Sequence, residues 1–284
     1  MPHSPTPPAS KTPSGAFLPP VLPIVLDQPL QWLALGFKDF SKSPWLSTLH
    51  GLILAVWGVL ITWLAHDRFW LLAGSLSGFL VIAPVLATSL YAMSRAMERG
   101  EKVDFQLLVH TWSQWQLRLR HQPDSYWSLI RFGLLLALAA TGWVITSSAL
   151  ITLLAPAPIH TPMDFIRHVV LNKHHFLFEL WLGLGGLMAA PVFASSVISM
   201  PLLLDRKVSV LQAVLTSWKT VLTHPLPMVF WAFLIMGFSL LGIFSMFLGL
   251  ILIVPMLGHG SWHAYRQLID ASDLQERMSG QGEL

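Results

Sequence analysis

The stretch richest in possible chemistry is GHGSWHAYR, Gly258 to Arg266. His259 and His263 stand four residues apart, so on a helix they fall about one turn apart on one face, a spacing that can chelate a metal or flank a haem. The glutamate of HExxH is absent, so no general base accompanies the two imidazoles. His50 and His224 are expected near the same membrane face and would supply a third ligand if a metal were held. We read the pair as packing residues that hydrogen-bond neighbouring helices, with Trp262, Tyr265 and Arg266 anchored at lipid headgroups. No cofactor is expected, and His259 and His263 remain the candidates should a metal or haem bind.

Other candidates are sparser. His160, His168, His174 and His175 cluster on one connection, but their spacing fits no single-metal template, and a solvated polar loop is the expectation. Glu179 is the one carboxylate expected inside a span, and intramembrane acids are functional candidates by default. The rest of the apolar interior holds no Lys, Arg or Asp, which argues against ion-coupled transport. Gly74 with Gly78, and Gly183, Gly185 and Gly186, are read as close-packing positions. There is no Walker motif, no GxSxG and no dinucleotide fingerprint, so no catalytic constellation is found and no enzyme is expected.

What must position these residues is a set of membrane helices. Of 284 residues, 54% are hydrophobic and 11% charged, against about 25% charged in soluble domains. Several uncharged runs exceed the roughly 18–20 residues that cross a bilayer. No secretory signal is expected, since the first apolar run of spanning length begins near Leu46 and no small-residue cleavage site precedes it. Zero cysteines exclude disulfides and thiolate ligands. Residues 1–26 read as a proline-rich disordered tail, 27–270 as the membrane domain and 271–284 as a short polar tail.

Within the domain, spans are expected at about Trp45–Ala65, Phe69–Met93, Tyr126–Leu154 and Phe176–Leu203. Leu226–Leu268 is twice one crossing, and so a hairpin turning near Ser245–Gly249. Three amphipathic segments intervene. The first starts at Asp27 with Leu30, Leu33, Phe37 and Phe40 opposite Lys38 and Asp39; the others are Asp104–Leu119 and Ser209–Leu222. Thr161-Pro162 followed by Asp164 reads as the capped start of a short helix.

Internal similarity organises these elements. APVLATSL (Ala83–Leu90) matches APVFASSV (Ala190–Val197), and FKDFSKSP (Phe37–Pro44) matches WKTVLTHP (Trp218–Pro225). Three units follow, at about 27–103, 104–208 and 209–270, each a surface helix and a hairpin whose second helix carries a proline: Pro84, Pro191 or Pro255. Lacking an N–H, these prolines free the carbonyls of Leu80, Leu187 and Ile251, and Leu80 and Leu187 are the expected acceptors for the histidine pair. All but Arg68, Arg167 and Lys173 of the 17 Lys and Arg residues fall on one face, which the positive-inside rule makes cytoplasmic, with both termini. Basic residues there are interleaved with acids, a pattern suited to anionic lipid and not to nucleic acid.

Four segments carry a family resemblance: GFKDFSKSPWLSTLHGLI, GFLVIAPVLATSLYAMSRAMERGE, SVISMPLLLDRKVSVLQAVLTSW and GLILIVPMLGHGSWHAYR. Over roughly Gly36 to Ile269 the chain resembles the bacterial predicted integral membrane proteins grouped as domain of unknown function 2189. Its motifs fall on the prolines, Ser94-Arg95, Leu204-Asp205-Arg206, Gly258-His259 and Trp262-His263. The resemblance implies a six-helix protein of the bacterial inner membrane and carries no reaction, substrate or cofactor. The expectation is therefore an all-α polytopic protein of six spans in three pseudo-repeated hairpins. It would act as a non-enzymatic scaffold or accessory factor whose partners are the lipid bilayer and other membrane proteins. The alternatives are a small-solute or metal transporter or channel, and a His-ligated metal or haem protein.

Overall fold

The computed structural model describes residues 17–64, 86–109, 111, 123–171 and 176–277. Its helices are α1 (Gln28–Lys42), α2 (Pro44–Leu64), α3 (Thr88–Glu98), α4 (Pro123–Leu154), α5 (Pro162–Phe165), α6 (Leu177–Ser196), α7 (Ser199–Asp205), α8 (Val210–Thr223), α9 (Pro225–Phe244) and α10 (Leu250–Leu268). A single π-helical turn, Ile166–Val170, extends α5. Among the described residues there is no strand, only the isolated bridges Val21–Ile269 and Arg206–Glu276. Pro84, Leu80, Gly74, Gly78, His174, His175 and most of the expected second span and second amphipathic segment lie outside the described residues.

Among the described residues four stretches are long and apolar enough to cross a membrane: Pro44–Leu64, Arg131–Leu154, Leu177–Asp205 and Pro225–Phe244. In the second and the fourth, only 17% of the most apolar window is buried against protein. Apolar surface on that scale is stable in hydrocarbon, where it incurs no hydrophobic cost, and not in water.

Prolines set the boundaries. Ser43 (φ −134°, ψ 63°) ends α1 immediately before Pro44, and His224 (φ −126°, ψ 60°) ends α8 immediately before Pro225. The residue before proline is driven out of the helical region by the ring, so each surface helix turns into the next span through one residue. The expected fourth span, about Phe176–Leu203, is present as the stretch Leu177–Asp205, but its helix is interrupted: α6 stops at Ser196 and α7 restarts at Ser199. Pro201 is the cause, because it cannot donate to the carbonyl of Val197. The Ile198 N–H exposed by the break is taken up by Ser217 Oγ of α8 at 3.2 Å. Pro191 and Pro255, by contrast, sit inside continuous α6 and α10.

The expected turn at 245–249 is present between α9 and α10. Met246 (φ 54°) and Phe247 (φ 68°) both adopt the left-handed conformation, unusual for side-chain-bearing residues. Burial of the Phe247 ring against Ala55 and Leu250 offsets that strain. The expected capped start at Thr161–Asp164 is met by a capping box at α5, and Ser209 caps α8. Asp27 precedes α1, but its side chain makes no cap bond.

Helix α10 is the axis, packed on α1, α2, α3 and α9. Glycines bring the backbones together. A Cβ on Gly36 would stand 2.7 Å from the Gly260 nitrogen, and one on Gly51 would stand 2.6 Å from the Ile251 Cα. Where α1, α3, α7, α8, α9 and the end of α10 meet, a core forms around Trp32, Met200, Trp231, Trp262 and Tyr265. Trp32 and Trp231 meet edge to face, with ring centroids 5.5 Å apart.

Residues 17–26 and 270–277 close this end. Residues 17–26, expected as part of the disordered tail, instead run along α8 and α10. Leu22 N donates to Leu268 O at 2.8 Å, and the carbonyls of Phe17 and Pro19 accept from Gln212 and Lys219. On the other side, residues 270–277 fold back beneath α7.

Candidate functional site

Helices α1, α2, α3 and α10 contribute one residue or more each to a buried polar chain. His259, fully buried on α10, bonds through Nε2 to Ser47 Oγ of α2 (3.1 Å) and through Nδ1 to Ser94 Oγ of α3 (2.8 Å). Ser94 Oγ in turn donates to Asp39 Oδ2 of α1 at 3.0 Å. One turn further along α10, His263 Nε2 reaches the same Oδ2 at 2.7 Å, and Lys42 Nζ holds Oδ1 at 2.8 Å. The Asp39 carboxylate is thus shared by three donors while only 3% of the residue is exposed. Burial opposes its ionisation. The His263, Lys42 and Ser94 hydrogen bonds outweigh burial and hold the carboxyl well below the usual carboxylate range.

A second cluster lies beside it. Asp205, 2% exposed at the end of α7, receives Tyr265 OH at 2.8 Å and Arg206 Nε at 2.9 Å. Arg99 Nη2 lies 3.4 Å away, and Arg95 Nε lies 3.1 Å away in a purely ionic contact, since its N–H makes no hydrogen bond. Arg95 also donates to the carbonyls of Leu204 and Arg277. Glu276 closes the cluster from outside by bridging Arg99 (3.1 Å) and Arg206 (3.2 Å). Between the clusters, Glu98 accepts from Trp262 Nε1 at 3.0 Å and pairs with Arg266 at 2.8 Å.

Chemically, these groups are occupied by one another. Ser47, His259 and Asp39 are of the types that serve as nucleophile, base and orienter, but a second serine separates base from acid, and Ser47 and His259 are both 0% exposed. No reacting atom can approach them in this conformation. Both His259 nitrogens are engaged, and among the described residues no group of three or more His, Asp or Glu side chains is placed to hold a metal.

The structure therefore brings together His259, His263, Trp262 and Arg266 and separates the other candidates. His50 follows Ser47 by one turn on α2 and takes no part in this chain of hydrogen bonds. His224 bonds to the Leu22 carbonyl at 2.9 Å, at the α8–α9 junction. Two expectations are corrected. The partners of His259 are serine hydroxyls, not proline-freed carbonyls; Leu187 points outward, 71% exposed. Trp262 and Tyr265, expected at headgroups, are 1% and 0% exposed in the protein core. Glu179 is exposed in the first turn of α6, near the start of the apolar stretch Leu177–Asp205, where the helix dipole favours a negative charge. Of the glycines read as packing positions, Gly185 meets Trp143, whereas a Cβ on Gly183 or Gly186 would meet nothing within 4 Å.

Two residues that sequence reasoning passed over organise the site. The sequence places Asp39 beside Lys38, opposite the apolar stripe of its helix, and gives Asp205 no role beyond its place in the Leu204-Asp205-Arg206 motif. A signal for Asp39 was present: Pro29, Trp32, Gly36 and Asp39, the buried residues of α1, recur at helical spacing opposite the Leu30–Phe37 stripe.

Fold and site together define an all-helical integral membrane protein whose polar end is fastened by buried hydrogen-bonded and ionic clusters. Residues 71–205 match the model of a family described as a predicted integral membrane protein, domain of unknown function 2189. The resemblance seen in the sequence is shown over that stretch, which supplies Ser94, Arg95 and Asp205 of the two clusters. No curated protein and no solved structure matches the chain.

Proposed function

We propose that this protein is a non-enzymatic scaffold or accessory factor of a bacterial inner membrane. The observation that carries the reading is the mutual occupation of His259, Ser94, Asp39 and His263, with Asp205 paired to Arg95, Arg206 and Tyr265. Groups locked into one another at long sequence separation fasten helices; they do not wait for a substrate. The result is a stiff polar end that ties both terminal segments to the membrane helices.

The arrangement in the bilayer is six spans in three hairpin units, with the polar end and both termini in the cytoplasm. Two findings support the repeat. The junctions at Ser43-Pro44 and His224-Pro225 have nearly the same backbone angles. Aligned on those prolines, buried Trp32, Gly36 and Asp39 of α1 correspond to buried Ala213, Ser217 and Thr220 of α8. The Lys and Arg distribution supports the orientation.

Reporter fusions at each terminus and in the 155–161 connection test the topology; a periplasmic terminus overturns it. Purified protein in proteoliposomes tests the role. We expect no solute flux and no hydrolysis of ester or phosphoester probes, together with recovery of a stoichiometric membrane-protein partner after cross-linking in cells. Reproducible turnover or flux overturns the scaffold reading.

A further inference from the structure

The two surface helices α1 and α8 turn Trp32, Gly36 and Asp39 of the one and Ala213, Ser217 and Thr220 of the other inward, and each turns large apolar residues outward. On α1 the outward face carries Leu30 and Phe37, each about half exposed; on α8 it carries Leu211 and Leu222, 62% and 70% exposed. The junction prolines that align the helices also align one basic residue: Lys38 of α1 corresponds to Lys219 of α8, and both are exposed. Lys38 has no carboxylate partner among the described residues, and Lys219 donates to the Pro19 carbonyl at 3.2 Å without meeting an acid. The sole acid on α1 is buried Asp39, and α8 has none.

These outward faces are continuous with lipid-facing surface. Each helix enters a span after a single residue, so the α1 stripe runs on into exposed Trp45, Leu52 and Val56 of α2, and the α8 stripe into Leu226 and Val229 of α9. An amphipathic helix joined in this way to a span lies at the boundary between headgroups and acyl chains. A lysine that flanks such a stripe with no protein counter-charge is placed for a phosphate headgroup.

We propose that α1 and α8 form a matched pair of interfacial anchors for anionic phospholipid, with Lys38 and Lys219 as equivalent headgroup contacts. The proposal requires the bilayer and is independent of whether the protein acts as a scaffold.

The absence of cysteine in the chain makes the test direct. Leu30→Cys and Leu211→Cys, each carrying a nitroxide, are reconstituted as the full chain in vesicles of phosphatidylcholine with and without phosphatidylglycerol. Both labels are expected to collide with oxygen in preference to a water-soluble nickel chelate. Separately, native mass spectrometry compares the lipids retained by the wild type and by Lys38→Gln/Lys219→Gln. The ratio of retained phosphatidylglycerol to phosphatidylcholine is expected to fall by about fivefold per lysine removed. Labels that favour the nickel chelate place the helices in water and overturn the proposal. Labels shielded from both reagents reveal a protein covering and overturn it equally. An unchanged lipid ratio removes the lysines from headgroup recognition, while unchanged label accessibility in that variant shows that it has folded.

Discussion

Asp39 Oδ2 and His263 Nε2 are 2.7 Å apart, although the two residues are separated by 224 positions in the chain. The contact pins α1 to α10, at the place where Gly36 and Gly260 let their backbones touch. Close backbone approach and a buried hydrogen bond thus serve the same helix–helix seam. Neither survives alone: the pair is out of reach if the helices part, and a buried carboxylate without partners is strongly unfavourable.

The pH dependence follows from that carboxylate. Its pKa in the folded protein is depressed, so its contribution to stability is fully present above the unfolded-state value near 4 and is lost as pH falls towards the folded value. Asp39→Asn is expected to cost roughly 1.5–3 kcal/mol at neutral pH. Thermal unfolding of detergent-purified wild type and variant should show a gap that is widest at neutral pH and narrows below about pH 4. A gap of constant size across that range would mean that the carboxylate charge is immaterial.

His259 provides the second test. His259→Ala removes the partner of Ser47 and one of the two partners of Ser94, and each buried hydroxyl left unpaired costs about 1–3 kcal/mol. Melting temperature and yield should both drop. Chelator treatment of the wild type should leave its melting temperature unchanged, and its visible spectrum should lack a haem band. Stoichiometric metal released together with stability would convert the histidines from packing residues into ligands.

Glycine substitutions separate seam from surface. At Gly36 and Gly51 an added methyl group would collide with α10 backbone atoms, which cannot rotate away as a side chain can. Gly36→Ala and Gly51→Ala are therefore expected to lose folded protein. Gly183→Ala and Gly186→Ala meet open space on α6, relieve the helix of a flexible residue, and should match or slightly exceed wild-type stability. Size-exclusion profiles of fluorescent fusions would rank the four, and equal behaviour would refute the seam.

Much of the local structure was legible in the sequence because its causes are local. Proline closes α1 and α8, Thr161 and Asp164 form a capping box, and an apolar run twice too long for one crossing must turn. The break before Pro201 was equally local but hidden in an apolar run that read as one span. The site was legible only in part. The GHGSWHAYR stripe pointed to His259 and His263, yet their partners Ser47, Ser94 and Asp39 come from three other helices. A pairing between distant segments leaves no periodicity to read. Acids beside lysines or arginines accordingly give no sign of a site, although Asp39 and Asp205 are the two most enclosed carboxylates of the polar end.

Asp205 gives the sharpest expectation, because one buried carboxylate serves three guanidinium groups and a phenol. Asp205→Asn keeps the volume but removes the negative charge that compensates Arg95 and Arg206, both largely buried. Removing one member of a buried ion pair costs about 3–5 kcal/mol, a large share of the total stability of a typical domain. Tyr265→Phe deletes one hydrogen bond and should cost about 1 kcal/mol. Glu276→Gln acts on a side chain that is 56% exposed, where an ion pair contributes roughly 0–1 kcal/mol. Accumulation in the membrane and melting temperature should therefore fall in the order Asp205→Asn, Tyr265→Phe, Glu276→Gln, with the first barely folded. Normal accumulation of Asp205→Asn would show that the arginines find compensation elsewhere, and the cluster would lose its role as the fastening between α3, α7 and α10.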